Sequence, residues 1–323
     1  MVPGLTDDVA RRLTGRVVPA VPVPHDARGR LRHDAQAAYV RWMSNQAVGA
    51  VAVWAHTGRG LVLNEDRRGA VLDAWREGAA PIVCGVGCPA DERLPSSTTA
   101  RTHAVIGATV RLAGQAKAGG AAAVMVHPPE ALRDLPDLAV RTLDLHRAVA
   151  EVGLPVIAFY LYEAAGGVPY APDTVRELLA LERVIGIKVA TLDSVVTFQE
   201  LAAAVPADRL LITGEDRFLG YSLMLGARSA LIGMAAACTD VSAGLLDAWS
   251  GADHTAFVER SARLDAFGRA TFGPPVEGYV QRMLWALEAD GVLEPGNVDP
   301  YAPMLPADER DRVVAAVRTL RTS

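Results

Sequence analysis

The 323-residue chain carries 32 basic and 37 acidic side chains mixed along its length, for a formal charge of -5, and without a basic block or stripe it offers nucleic acid no footprint. Half of its residues are hydrophobic, enough for a substantial core. No uncharged apolar run reaches membrane-spanning length and no basic segment leads into an apolar one at the N-terminus, so a soluble globular protein is expected. Cys84, Cys88 and Cys238 suit a reducing compartment, the cytoplasm, better than a disulfide framework.

Short β-rich apolar runs alternate with longer segments rich in Ala, Leu and Arg. The predicted strands are 17–23, 50–54, 81–84, 122–126, 155–160, 184–188, 210–213 and 230–233. Helical patterns begin near Asp34, Glu65, Ala100, Leu132, Pro172, Leu192, Arg217 and Asp240, the fifth with proline in its first turn. Eight strand–helix units imply an α/β fold, a closed (β/α)8 TIM barrel, whose chemistry sits at the C-terminal ends of the strands. About ninety residues follow the eighth strand, with helical patterns over 255–270, 276–290 and 307–321, broken at Gly273-Pro274-Pro275 and Glu294-Pro295-Gly296. Residues 1–235 are therefore expected to form the catalytic barrel and 236–323 a helical extension packed on it.

The strand ends select the candidate site residues. Strand two runs into His56-Thr57-Gly58-Arg59-Gly60, where glycines free backbone N–H groups for an anion such as a carboxylate, or simply serve a turn. Strand four ends at His127-Pro128-Pro129-Glu130, an imidazole and a carboxylate able to act as acid and base or to stay structural. Strand five ends at Tyr160-Leu161-Tyr162, and a phenol near an amine can carry protons.

Strand six ends on Lys188, one of only two lysines beside thirty arginines. A strand-end lysine can extend its head into water; buried, it loses its proton more easily and becomes a nucleophile able to form a Schiff base with a carbonyl. His56, His127, Glu130 and Glu215 could alternatively hold zinc, but no tight local ligand spacing joins them, and the spacing of Cys84 and Cys88 is poor for a metal. No metal and no cofactor is expected.

With Lys188 in Ile185-Gly186-Ile187-Lys188, Thr57-Gly58 after strand two and Tyr160 28 residues before the lysine, the chain resembles the dihydrodipicolinate synthase and N-acetylneuraminate lyase family. Gly15 to Val21, Leu63 to Arg67, Gly85-Val86-Gly87, Leu154 to Ile157, Gly214-Glu215-Asp216 and Leu225-Gly226-Ala227 extend the resemblance over most of the chain. It implies a (β/α)8 barrel with appended C-terminal helices, assembled as a homo-oligomer, dimer or tetramer. It also implies a Schiff base between Lys188 and a 2-oxo acid such as pyruvate, a proton relay through Tyr160, and a carboxylate cradle at Thr57-Gly58.

The departures bear on the substrate. Where the family commonly has Thr-Thr-Gly-Glu, this chain has His56-Thr57-Gly58-Arg59, and the usual Pro-Tyr-Tyr aligns with Pro128-Pro129-Glu130, removing a tyrosine that a neighbouring subunit's site uses. The synthase's arginine for a distal carboxylate falls near Ala165, which argues against lysine-pathway synthesis. The expected function is a class I lyase acting on a small 2-oxo acid or aldehyde, with Lys188 and Tyr160 catalytic and Thr57, Gly58, His56, Arg59, His127, Glu130 and Gly233 binding substrate. The alternatives are a sugar-acid dehydratase using the same lysine and a binding barrel without catalysis.

Overall fold

The computed structural model describes residues 5–322. Eight parallel strands form one sheet: β1 (Val17–Pro19), β2 (Val51–Val53), β3 (Ile82–Val86), β4 (Ala123–Val126), β5 (Val156–Leu161), β6 (Val184–Ala190), β7 (Leu210–Thr213) and β8 (Ser229–Ile232). From β2 to β8 each strand pairs with the next and β1 pairs with β8, while Ala20, just past β1, bridges to Ala52 in β2, so the sheet closes on itself. This is the (β/α)8 barrel. β1 ends earlier than its apolar run because Pro22 and Pro24 supply no ladder N–H.

Side-chain alternation divides the core in two. Val18, Ala52, Met125, Ile157, Phe159 and Ile212 fill the barrel, whereas Val17, Val53, Val124, Val156, Ala158 and Val189 face the helices. The helix Leu5–Leu13, absent from the predicted elements, adds Val9 and Leu13 to the inner cluster. Its signal was present in the sequence: Asp7 and Asp8 open it and Arg11 and Arg12 close it, matching the helix dipole.

The helix Thr239–Ser250 packs against β1 as the barrel's eighth, so that part of the expected extension belongs to the barrel. The appended helices are His254–Thr271, Tyr279–Ala289 and Glu309–Thr322. The last two are tied by a fully buried ion pair, Arg282 Nε to Glu309 Oε1 at 2.7 Å. Among the described residues no helix is long and apolar enough to cross a membrane.

Candidate active site

Lys188 lies near the end of β6 with its side chain turned into the barrel, 6% exposed, and its Nζ stands 4.2 Å from the centre of the Phe159 ring on β5. Burial lowers its pKa from 10.5 to about 8, against the opposing pull of Asp216 and Glu215. Gly214 at the end of β7 makes room for the arm: a Cβ there would lie 2.6 Å from Lys188 Cε.

Burial also raises the two carboxyls, each to about 7. Asp216 accepts the Met234 N–H at 2.6 Å, and Glu215 accepts from the Thr191 hydroxyl at 3.0 Å and the Leu192 N–H at 3.1 Å.

After β2 the chain makes a single turn, His56–Gly58, that carries Thr57 and His56 to the lysine. The hydroxyl of Tyr279, from the appended helices, shares a hydrogen bond with Thr57 Oγ1 at 2.9 Å and stands 3.1 Å from His56 Nδ1. His56 Nε2 lies 3.4 Å from Glu277 Oε2. That carboxylate also takes Arg59 at 3.1 Å and the Tyr162 hydroxyl at 3.1 Å. Burial, reinforced by the positive charges of Arg59 and Lys188, holds His56 neutral with a pKa of about 3.

His127, more deeply buried and also held to about 3, meets the Phe159 ring edge-on at 5.6 Å and leaves its Nε2 without a partner. The lysine's own cavity is small, about 40 Å³, and a cleft of about 410 Å³ adjoins it, the two sharing His56 and Leu161.

The structure brings several of the sequence-predicted residues together around Lys188 and beside it. Thr57, His56 and Gly233 line the lysine's cavity, and His56, Arg59, His127 and Glu130 line the cleft. Gly233 gives the Tyr279 ring its space, since a Cβ there would lie 2.9 Å from Tyr279 Cε2.

Tyr160 requires correction. The β5–β6 register runs Val156 to Val184 and then skips to Ile157 opposite Gly186, so Phe159 faces Lys188 and Tyr160 pairs with Val189. Tyr160 therefore points outward, where it packs edge-on to Tyr170 at 6.0 Å.

Three binding assignments also shift. The Gly58 N–H is committed to the Ala55 carbonyl at 2.9 Å, so of the cradle only Thr57 keeps a group for a ligand. Arg59 is engaged by Asp299 at 2.9 Å as well as by Glu277; burial works against its charge and these acids outweigh it, leaving no free cation for substrate. Glu130 is exposed at the cleft's rim, 3.8 Å from Arg133. Nor do the four groups weighed as zinc ligands converge: among the described residues no group of three or more His, Cys, Asp or Glu side chains is placed to hold a metal.

Sequence reasoning missed Phe159, Asp216, Glu277 and Tyr279. Asp216 adjoins Glu215 in Gly214-Glu215-Asp216, but the 276–290 segment carries only a helical pattern, and nothing local to it signals contact with the second strand's turn.

A barrel that buries an amine at the C-terminal ends of its strands, closed over by helices from the end of the chain, has the architecture of an aldolase-type lyase. Residues 13–319 match the dihydrodipicolinate synthetase family, and the chain belongs to it. It is 25% identical over 283 residues to a 4-hydroxy-tetrahydrodipicolinate synthase of Pseudomonas aeruginosa, covering 86% of this chain and 88% of that one. Over 183 residues it is 28% identical to a probable 2-dehydro-3-deoxy-D-pentonate aldolase of Escherichia coli, covering 55% and 54%. The structure of an Escherichia coli K12 prophage protein of the same family, in complex with pyruvate, superposes with a TM-score of 0.79 at 20% identity, covering 95% of this chain and 99% of that one.

Proposed function

We propose that the protein is a Schiff-base-forming lyase that cleaves or joins a carbon–carbon bond next to the carbonyl of a 2-oxo acid. The observation that carries this reading is Lys188: an amine whose pKa burial brings down to about 8, inside the barrel, between two carboxyls and a hydroxyl-bearing turn.

In the cleavage direction the neutral amine adds to the substrate's C2 carbonyl. The carbinolamine oxygen takes a proton and leaves as water, giving an iminium. The iminium accepts the electron pair of the C3–C4 bond as the C4 hydroxyl releases its proton and the aldehyde departs. The enamine then takes a proton at C3, and water hydrolyses the imine, returning the 2-oxo acid and the free lysine.

The adjoining cleft is the place for the departing aldehyde. Leu61, Val62, Leu94, Pro128 and Leu161 give it an apolar surface, and its one arginine, Arg59, is neutralised by two acids. An uncharged, largely apolar aldehyde fits this surface. The row of hydroxyls on a sugar acid would leave most of its hydrogen bonds unmade there, which favours aldol chemistry over dehydration. The absence of a free guanidinium, with Ala165 on the cleft wall, likewise disfavours the carboxylate-bearing substrate of lysine-pathway synthesis.

Borohydride with pyruvate is the test. A reduced adduct should form on Lys188, and Lys188→Arg should form none. An unmodified Lys188 across a panel of pyruvate, 2-oxobutyrate and glyoxylate would end the proposal.

A further inference from the structure

Imine chemistry needs a group that gives a proton to the departing carbinolamine oxygen and takes one from the hydroxyl released in cleavage. On β5, next to the lysine, the register places Phe159, whose ring carries no exchangeable proton, and turns Tyr160 to the outside. A hydroxyl does reach this cavity, from the other end of the chain. Tyr279 lines it together with Lys188 and is buried, its ring held between Phe272, stacked at 4.7 Å with planes 22° apart, and the bare Cα of Gly233.

We propose that Tyr279 is the proton carrier of this site, working through its hydrogen bonds to Thr57 and His56 in place of a tyrosine on the fifth strand. The proposal rests on the Schiff-base reading above. Its geometry is a pair of hydrogen bonds, from Thr57 Oγ1 to Tyr279 Oη (2.9 Å) and on to His56 Nδ1 (3.1 Å), with Glu277 Oε2 standing 3.4 Å from the ring's Nε2.

The tautomer follows from these contacts. A neutral imidazole with one nitrogen facing a carboxylate carries its proton there, on Nε2, which leaves Nδ1 as an acceptor for the Tyr279 hydroxyl. In imine formation Tyr279 gives its proton to the carbinolamine oxygen, which leaves as water; the tyrosinate so formed accepts from the Thr57 hydroxyl and faces the cationic iminium. In cleavage that oxygen takes the proton of the C4 hydroxyl as the C3–C4 electron pair moves into the iminium, and it then passes the proton to C3 of the enamine. Hydrolysis of the iminium sets one proton free, which returns to Tyr279, so the protein ends each turnover in its starting protonation state. Glu277 is held in place throughout by Arg59 and Tyr162.

The test separates binding from proton transfer. In Tyr279→Phe, borohydride with pyruvate should still label Lys188 to completion, while exchange of the pyruvate methyl protons with D2O, followed by NMR, falls by two orders of magnitude or more with less than about a threefold change in pyruvate KM. Thr57→Val should lower the exchange rate in the same direction by a smaller factor. Tyr160→Phe should leave both readouts at the wild-type level. Phe159→Tyr in the Tyr279→Phe background should recover at least tenfold in exchange, because it restores a hydroxyl next to Lys188, an outcome that a merely structural role for Tyr279 would not give.

Exchange in Tyr279→Phe within threefold of wild type overturns the proposal and leaves the Schiff-base reading standing. Absence of the adduct in the wild-type protein overturns both. Thermal melts of each variant check that the fold is intact, and the Thr57→Val result decides the matter if Tyr279→Phe does not fold.

Discussion

Lys188 should lose its proton near pH 8. Burial disfavours the ammonium while Asp216 and Glu215 favour it, and the balance stands at about 8 against an ordinary 10.5. At pH 7 about one lysine in eleven is then neutral, against about one in three thousand for an unshifted side chain, a gain of roughly 300-fold in reactive amine. The same shift carries a stability sign. The unfolded chain holds the proton more tightly than the folded one, so stability rises with pH between about 8 and 10.5, and below that window a constant cost of about 3 kcal/mol remains.

The chain supplies its own control, because Lys117, its only other lysine, is exposed on the helix Thr98–Ala118. Trace reductive methylation with formaldehyde, read by peptide mass spectrometry, follows both amines in one digest. Lys188 labelling should climb about tenfold per pH unit and level off near 8. Asp216→Asn keeps an oxygen for the Met234 N–H but removes the charge that supports the ammonium, so the levelling point should move to lower pH. Labelling that keeps climbing to an ordinary lysine's pKa, or a midpoint that moves upward in Asp216→Asn, would refute the reasoning.

Three further outcomes follow from the packing. Gly214→Ala places a methyl 2.6 Å from Lys188 Cε and 2.8 Å from Ala190 Cβ, so it should abolish the pyruvate adduct and cost about 1–3 kcal/mol of stability, read by mass spectrometry and urea unfolding. Arg59→Met strands Asp299, whose side chain is 2% exposed, and frees Glu277, so the urea midpoint should fall by the equivalent of about 3–5 kcal/mol; a fall below about 1 kcal/mol would show the cluster to be solvated. Ala165→Arg brings an uncommitted guanidinium to the cleft wall, and the ratio of kcat/KM for an anionic aldehyde to that for a neutral one of similar size should rise by about tenfold or more.

The barrel was legible because each buried strand is a short β-branched run bounded by helical or turn-forming sequence. The 210–213 strand has the bounds read from the chain, and most of the others differ by one or two residues. Lys188 stood out for a related reason, since a charged residue inside such a run has few places to go. What failed was parity. Val156 pairs with Val184, an offset of 28, and carried on unbroken that offset would set Tyr160 opposite Lys188. One extra residue, Ile185, is absorbed before Gly186, the offset becomes 29, and Phe159 takes the inward place. A spacing match counts residues along the chain and does not register a bulge. Tyr279 escaped for a different reason: its partners, Thr57 and His56, lie more than 220 residues away, and only the folded chain brings them together.

The same contacts change the meaning of the appended helices. A hydroxyl supplied from Tyr279 is only as well placed as the segment that carries it, and that segment is fixed by one buried guanidinium. Arg282 donates from Nη1 to the carbonyls of Gly273 at 2.8 Å, Pro275 at 3.1 Å and Thr271 at 3.3 Å, from Nη2 to Pro274 at 3.3 Å, and from Nε to Glu309. It thereby gathers the whole 271–275 turn and ties it to the chain's last helix. Glu277 and Tyr279 follow directly, and they reach Arg59, His56 and Thr57 on the second strand's turn. The extension is thus part of the site's wall, and Tyr279 brings a hydroxyl from within the same chain to a cavity where the fifth strand presents Phe159. A site completed this way draws its hydroxyl from its own C-terminus, so its proton transfer depends on the packing of the last helices.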